Sequence, residues 1–184
     1  MARITQVTRE SVRAELRDTF DLVTSGPGGV GTGPMSVLVH SPEMARRARP
    51  LFNYVRNESS VPKKLRELAM ITTARAMDCP YIWNAHAGFA REEGLSNALV
   101  DALRDKQALP PMASDETAVY NFAMELFQTR RVTAETFLQV HNLLGSQGLA
   151  ELTTLLGYYT MLAFNANAVE LDLPLDLVEP ALPV

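Results

Sequence analysis

The sequence predicts an all-α protein, and three observations support that prediction. Apolar residues recur at the three- and four-residue spacing of a helix through most of the chain. Capping residues, glycines and prolines separate these stretches where helices begin and end. No stretch shows the sustained alternation of apolar and polar residues that is typical of a strand. With 184 residues and no clear internal linker, we expect one domain over residues 1–184, a compact bundle of about eight helices.

The first region, residues 1–34, is predicted to hold a helix followed by a glycine-rich loop. The helix begins at Thr8 and carries apolar residues at roughly helical spacing as far as Val23. The loop, residues 25–34, follows no apolar strand and is not closed by Gly-Lys-Ser/Thr, which argues against a phosphate-binding loop. We interpret it as a flexible surface loop, with a mobile flap over a site as the alternative.

Capping residues mark the remaining helices. Ser41 followed by Pro42 is typical of a helix start, and Gly94 is typical of a helix end. The predicted helices cover residues 35–40, 41–57 with a kink at Pro50, 63–77, 81–93, 96–105, 114–130, 133–144 and 149–168. The tail, residues 172–184, contains three prolines and is expected to be extended.

Charge and cysteine content exclude several classes of function. The net charge is −4 and no run of Lys or Arg occurs, so we expect no nucleic-acid partner. The acidic balance disfavours anionic membranes, and no run of 18 apolar residues predicts a membrane span. The first ten residues lack the apolar stretch of a secretory signal. Cys79 is the only cysteine, which fits the reducing cytoplasm.

Glu67 stands at the entrance of an unusually apolar helix. Residues 68–77 are apolar or small on every face apart from Arg75, which predicts a helix buried on nearly all sides. A carboxylate beside such a surface is costly to desolvate, so it must be paired or become protonated. A carboxyl group that exchanges protons near neutral pH is what general acid–base catalysis needs. The alternative is an ordinary ion pair with Lys63 at the helix start.

The next helix places several reactive side chains together. Pro80 in its first turn puts Cys79 at the helix N-terminus, where the dipole is expected to lower the pKa of a thiol. Cys79, Ile82, Trp83 and His86 share one face, since they stand at positions i, i+3, i+4 and i+7. The alternative is a buried packing face without chemistry.

The spacing of Glu67, Cys79, Tyr81 and His86 resembles the active-site signature of the carboxymuconolactone decarboxylase/alkylhydroperoxidase-D-like proteins. In that group a glutamate, two cysteines in a Cys-x-Tyr-Cys arrangement and a histidine form a proton relay to a peroxidatic thiol. The likeness extends over roughly residues 40–170. Similar flanking segments are residues 65–68, 90–96 and 157–165. The resemblance implies a helical bundle that forms homo-oligomers, as dimers, trimers or hexamers.

One departure from the signature changes the expected activity. Ile82 occupies the position of the second cysteine, and isoleucine neither attacks a peroxide nor forms a disulfide with Cys79. Cys79 alone would reach a sulfenic acid and then need an external thiol. The chain is therefore more similar to the thiol-independent branches, which include the decarboxylases of lactone ring-cleavage pathways.

We therefore expect a cofactor-independent, non-redox enzyme of the lyase/decarboxylase type, acting on a small cyclic carboxylic acid such as a lactone. Proton transfer is assigned to Glu67 and His86, with Cys79 and Tyr81 in the same catalytic set. The chain has three histidines without metal-site spacing, so no metal or other cofactor is expected.

Substrate binding is assigned to residues around this set. Trp83 and Asn84 are expected to line the pocket, and Arg66 to bind the anionic substrate that the resemblance implies. Arg75 and Arg91 are the other arginines nearby in sequence. The aromatic group Tyr158, Tyr159 and Phe164 is interpreted as core or subunit interface.

Two alternatives belong to other classes of function. The first is a peroxiredoxin-like antioxidant protein that uses Cys79 alone. The second is a non-catalytic helical oligomer. A closed pocket without room for a ligand, with Glu67 paired to Lys63, would favour this second alternative.

Overall fold

Eight α-helices account for most of this computed structural model, which describes residues 2–26 and 28–184 and contains no β-strand in those ranges. Met1, and Pro27 of the predicted glycine-rich loop, lie outside the described residues. The helices are α1 (Arg17–Thr24), α2 (Pro34–Leu38), α3 (Pro42–Asn53), α4 (Lys63–Ala76), α5 (Pro80–Glu92), α6 (Asn97–Arg104), α7 (Ser114–Thr129) and α8 (Ala134–Ala168). The all-α prediction is confirmed.

Helix α4 forms the centre of the bundle. It packs against α5, α7 and α8, and its residues from Leu68 to Arg75 are all buried. The near-absence of polar residues over 68–77 already predicted this, because a helix without a polar face must be covered on all sides. Glu67 at its first turns therefore lies beside the core.

The N-terminal helix begins later than predicted. Residues 9–12 form a turn and a bend, and α1 starts at Arg17 after a short 3₁₀ turn at Ala14–Leu16. The Ser11 hydroxyl donates to the Thr8 carbonyl at 2.8 Å, and the Thr8 backbone N–H donates to the Ser11 hydroxyl at 3.0 Å. Side-chain hydrogen bonds of this kind compete with helical hydrogen bonds and stabilise turns instead.

Helix α3 contains Pro50 and continues into a π-helical turn, Tyr54–Glu58. The sequence predicted a kink at Pro50 and a helix end near residue 57, but not the wider π geometry. π-turns are rare and occur frequently at functional sites. This turn contains Arg56.

Helix α8 is interrupted at Gly145, whose φ is 67° and ψ is −178°. Only glycine adopts this conformation readily. The interruption separates two helical halves that agree with the predicted helices over residues 133–144 and 149–168. None of the described helices combines the length and apolar character needed to cross a bilayer.

The tail after α8 runs back across the bundle without helical structure. Leu182 is buried in the core, and the Pro183 carbonyl accepts a hydrogen bond from Arg75 at 2.9 Å. Glu179 forms an ion pair with Arg91 of α5 at 3.0 Å. The tail is therefore fastened to α4 and α5.

Candidate active site

Glu67 and His86 form a buried pair between α4 and α5. Glu67 Oε2 lies 2.8 Å from His86 Nδ1, and the two side chains are 13% and 4% exposed. Lys63, the alternative partner of Glu67, instead pairs with Glu93 at 3.1 Å. The carboxylate beside the apolar surface of α4 is thus paired with an imidazole and not with a surface lysine.

A third residue, Tyr159 of α8, completes a relay. Its hydroxyl lies 3.2 Å from His86 Nε2, and the two rings meet edge to face with centroids 5.2 Å apart. A carboxylate at Nδ1 favours a proton on that nitrogen, so Nε2 accepts a hydrogen bond from Tyr159 when the ring is neutral and donates one when the ring is protonated. Burial raises the pKa of Tyr159, so its hydroxyl keeps its proton.

The relay opens on a cavity of about 160 Å³. A cavity of roughly 150 Å³ accommodates a molecule the size of benzene. Its walls combine apolar side chains with four polar ones and come from α2, α3, α5, α8 and the π-turn. The lining residues are Gly33, Pro34, Met35, Phe52, Arg56, Tyr81, Ile82, Ala85, His86, Tyr159 and Leu162. The geometry suits a ligand with a single small ring.

Tyr81 connects this cavity to the end of the glycine-rich loop. Its hydroxyl lies 3.2 Å from the hydroxyl of Thr32. Gly33 packs so closely on the same ring that an added Cβ would stand 3.3 Å from Tyr81 Cε1. The end of the loop therefore lies at the wall of the cavity.

Cys79 does not line the cavity and is completely buried. The expectation that the helix dipole lowers its pKa is wrong. Burial raises the pKa of the thiol, and it outweighs the backbone N–H groups of Ile82 and Tyr81, which act in the opposite direction. Ile82, at the position of the missing second cysteine, faces the cavity instead.

Trp83 and Asn84 lie away from the cavity, contrary to expectation. Asn84 is on the face of α5 opposite Ile82 and His86, because successive residues of a helix are turned by about 100°. Trp83 is closer to their face but packs in the hydrophobic core instead of lining the cavity. Trp83 is fully buried, with an indole N–H that has no hydrogen-bond partner. Asn84 donates to the carbonyl of Glu179 in the tail at 3.2 Å.

The three arginines considered from sequence do not line the cavity. Arg66 is buried and donates to the Arg56 carbonyl at 2.7 Å. Arg75 and Arg91 are occupied with the tail and neighbouring groups. The arginine that does line the cavity is Arg56. No local sequence pattern identifies it, since its position depends on the π-turn.

Metal-ligating side chains are not grouped at this site. In the part of the chain that the structure describes, no cluster of three or more His, Cys, Asp or Glu residues could hold a metal ion. His141 lies elsewhere, hydrogen-bonded to Ser146 at 3.0 Å. The polar side chains that line the cavity can transfer protons and form hydrogen bonds.

Solved structures with a similar fold come from several proteins. The alkylhydroperoxidase AhpD core of Ralstonia eutropha JMP134, an uncharacterized peroxidase-related protein, is 17% identical with a TM-score of 0.67, over 94% of this chain and 92% of that one. An uncharacterized peroxidase-related protein from Silicibacter sp. TM1040 is 14% identical with a TM-score of 0.70, over 95% and 92%. A variant of the debrominase Bmp8 in complex with 2,3,4-tribromopyrrole is 14% identical with a TM-score of 0.61, over 94% and 91%. At these identities the likeness shows the fold alone.

Sequence comparison finds one family whose model matches part of the chain. No curated protein matches the chain. Residues 42–125, from the start of α3 into α7, match the model of the Carboxymuconolactone decarboxylase family. This segment includes Glu67, Cys79, Tyr81 and His86. This segment is therefore similar to the carboxymuconolactone decarboxylase family, and the whole bundle has the alkylhydroperoxidase-D-like fold.

Proposed function

We propose that the protein is a cofactor-independent lyase that decarboxylates a small cyclic carboxylic acid, such as an unsaturated lactone acid, by proton transfer through His86. The observation that carries this proposal is the Glu67–His86–Tyr159 relay facing a cavity the size of one ring. The match of residues 42–125 to a decarboxylase family supports an activity of this general class.

The relay suits the proton demand of such a reaction. When the bond between the ring carbon and the carboxylate breaks, CO₂ leaves. The electron pair of that bond moves into the unsaturated lactone, which becomes a dienolate. The ring carbon then takes one proton. Protonated His86, stabilised by Glu67, donates from Nε2 to the Tyr159 oxygen, which frees the Tyr159 proton for the substrate. Solvent returns the proton to His86.

The cavity wall contributes a second requirement of the reaction. A carboxylate that leaves water for surroundings rich in apolar groups loses solvation, whereas the dienolate spreads its charge over the ring. Met35, Phe52 and Leu162 supply apolar surface, and Tyr81 offers a hydroxyl beside the loop. The debrominase relative was solved with tribromopyrrole, which is also a one-ring compound, and this supports a ligand of that size.

The two alternatives are less well supported. A thiol-dependent antioxidant needs an accessible thiolate, but Cys79 is completely buried and absent from the cavity wall. A non-catalytic oligomer was expected to have Glu67 paired to Lys63 and no room for a ligand. Glu67 instead pairs with His86 beside a cavity.

The test is turnover of unsaturated five-membered lactone carboxylic acids, followed by CO₂ release and product mass. Glu67→Gln and His86→Gln should each reduce kcat about 100-fold or more, which is the usual contribution of general acid–base catalysis. Lys63→Gln and His141→Gln are matched controls outside the relay and should retain wild-type turnover. Unchanged turnover in both relay variants would overturn the proposal.

We also propose that the enzyme is cytoplasmic and forms a homo-oligomer. A single cysteine without an intrachain disulfide supports a cytoplasmic enzyme. The uncharged, partly exposed C-terminal half of α8, with Met161 and Phe164 at the surface, supports a homo-oligomer.

A further inference from the structure

Arg56 is the one permanently charged side chain among the residues that line the cavity. Its guanidinium carbon lies over the ring of Phe52, 5.6 Å from the centroid. Within residues 2–26 and 28–184, no carboxylate comes close enough to form an ion pair with it. The ion pairs of the neighbouring helices use other basic residues, namely Arg46, Arg47, Lys63 and His86. The cavity therefore has a cation without a protein counterion at its wall.

The backbone on both sides of Arg56 is fastened to one carboxylate, Glu151 of α8. The Tyr54 hydroxyl donates to its Oε1 at 2.6 Å. The backbone N–H and the hydroxyl of Ser60 each donate to its Oε2 at 2.7 Å, and the Ser59 hydroxyl donates at 3.1 Å. One side chain thus spans the π-turn from its first residue to the residues that follow it.

Glu151 is itself unusual, because it is 6% exposed and its hydrogen-bond partners are all uncharged. Gln147 supplies the fifth hydrogen bond at 2.9 Å. Burial opposes ionisation, but the hydrogen bonds from Tyr54, Gln147 and Ser60 together outweigh it and lower the pKa to about 2. Four of the five hydrogen bonds come from residues 54–60. The buried carboxylate of Glu151 therefore stabilises mainly residues 54–60.

The carbonyl of Arg56 is held from the opposite direction by Arg66. Its guanidinium donates to that carbonyl at 2.7 Å, and its side chain is buried. Both restraints act on backbone or flanking residues, and neither uses the Arg56 guanidinium, which lies over the Phe52 ring. A π-turn is an uncommon conformation that persists only where its surroundings hold it, and here two buried charged groups do so.

We propose that Arg56 binds the carboxylate of an anionic one-ring ligand, and that Glu151 is a positioning residue which holds the π-turn so that Arg56 stays at the cavity wall. The identity of that ligand as the substrate rests on the proposed function. The binding itself does not, because neither Arg56 nor Glu151 belongs to the Glu67–His86–Tyr159 relay.

Titration calorimetry with the full chain tests whether Arg56 binds a carboxylate. The two ligands are benzoate and its neutral counterpart benzamide. Wild-type protein should bind benzoate more tightly than benzamide. Arg56→Gln should weaken benzoate binding about tenfold or more, because a charge-assisted hydrogen bond is lost, and leave benzamide binding unchanged. No benzoate binding by the wild type, or equal affinity in Arg56→Gln, would overturn the carboxylate site.

Glu151→Gln tests whether Glu151 positions Arg56. It should weaken benzoate binding several-fold with little change for benzamide. Glu125→Gln is the matched control, because Glu125 also accepts hydrogen bonds from hydroxyl and backbone donors, at Thr133 and Thr136, but between α7 and α8. If Glu151→Gln fails to fold, as judged by the fluorescence of Trp83, the Tyr54→Phe variant should show the same selective loss. Benzoate affinity unchanged in a folded variant of this network rules out the positioning role.

Relay variants separate this inference from the proposed function. Glu67→Gln and His86→Gln should keep their preference for benzoate, whatever happens to turnover. With an active substrate, Glu151→Gln should raise KM and leave kcat near wild type, since the relay is untouched. A purely structural role for Glu151 would reduce the amount of active enzyme and leave both KM and benzoate affinity unchanged, which would overturn the proposal.

Discussion

At the scale of single residues, two shielded carboxylates have different roles because their partners differ. Glu67 faces the imidazole of His86, and histidine exchanges a proton near neutral pH. Glu151 faces only hydroxyl, amide and backbone donors, which do not titrate in that range. The first arrangement is suited to proton transfer, whereas the second keeps a permanent charge in place.

The Glu151 network gives the protein a defined acid sensitivity. The folded-state pKa of about 2 lies below the ordinary value of 4.5, so the network stabilises the fold above about pH 5 and loses this contribution as the pH falls towards 2. Glu151→Gln should lower the free energy of unfolding at pH 7 by about 2–3 kcal/mol. Urea titrations followed by Trp83 fluorescence at pH 7, 5 and 3 measure the free energy of unfolding of both proteins. The difference from wild type should shrink with falling pH, and a constant difference would contradict the assignment.

Cys79 should be chemically silent in the folded protein. Its thiol is buried and has a raised pKa, and thiolate chemistry needs both access and ionisation. Cys79→Ser should therefore keep turnover of the lyase substrate, and peroxide should not be consumed in the presence of a recycling thiol. Peroxide consumption by the wild type that disappears in Cys79→Ser would favour the antioxidant alternative.

At the scale of secondary-structure elements, the predicted boundaries agree with the structure where interactions between residues close in sequence determine them. Helices α4 and α5 begin and end within about a residue of the prediction, because Pro62, Pro80 and Gly94 act on their immediate neighbours. The start of α1 was wrong because Thr8 and Ser11 form hydrogen bonds of their own. The π-turn at Tyr54–Glu58 depends on Glu151 and Arg66, which are distant in sequence.

The interruption of α8 offers a test of backbone strain. An added Cβ at Gly145 meets no atom within 4 Å, but its φ of +67° is unfavourable for alanine. Gly145→Ala should destabilise the fold by about 1–3 kcal/mol. Gly157→Ala, at an exposed helical position that is equally open, should stabilise it by about 0.5–1 kcal/mol. Thermal unfolding of both variants measures the difference, and equal effects would contradict this conformation at Gly145.

At the scale of the whole molecule, we propose that a second copy of the chain binds to the outer face of α8. Over residues 149–168 the only charged residue is Glu151, which is buried. Phe164 is 61% exposed on the same helix that contributes Tyr159 to the relay. An exposed, uncharged helix face of this kind is typical of an interface between subunits.

Phe164→Glu should reduce the number of subunits, because a charge is costly to bury in an apolar interface. Leu22→Glu is the control, since Leu22 on α1 is similarly exposed, at 62%, but lies outside α8. Light scattering after size-exclusion chromatography measures the mass of each variant. A monomeric wild type, or an equal mass in Phe164→Glu, would contradict assembly through α8.

The sequence by itself determined the helical class, the boundaries of the central helices and the segment that holds Glu67, Cys79, Tyr81 and His86. Capping, periodicity and burial patterns act over a few residues, so they can be recognised without coordinates. Even the absence of dithiol chemistry followed from a single position, Ile82.

Only the tertiary structure decided which groups meet at the site. Tyr159 is 73 residues from His86 in the chain, and Arg56 reaches the cavity because Glu151 of another helix holds its turn. The pKa of Cys79 moves opposite to the helix-dipole expectation because desolvation depends on everything that surrounds a thiol. Pairing and desolvation are properties of three-dimensional surroundings, and residue spacing alone does not specify them.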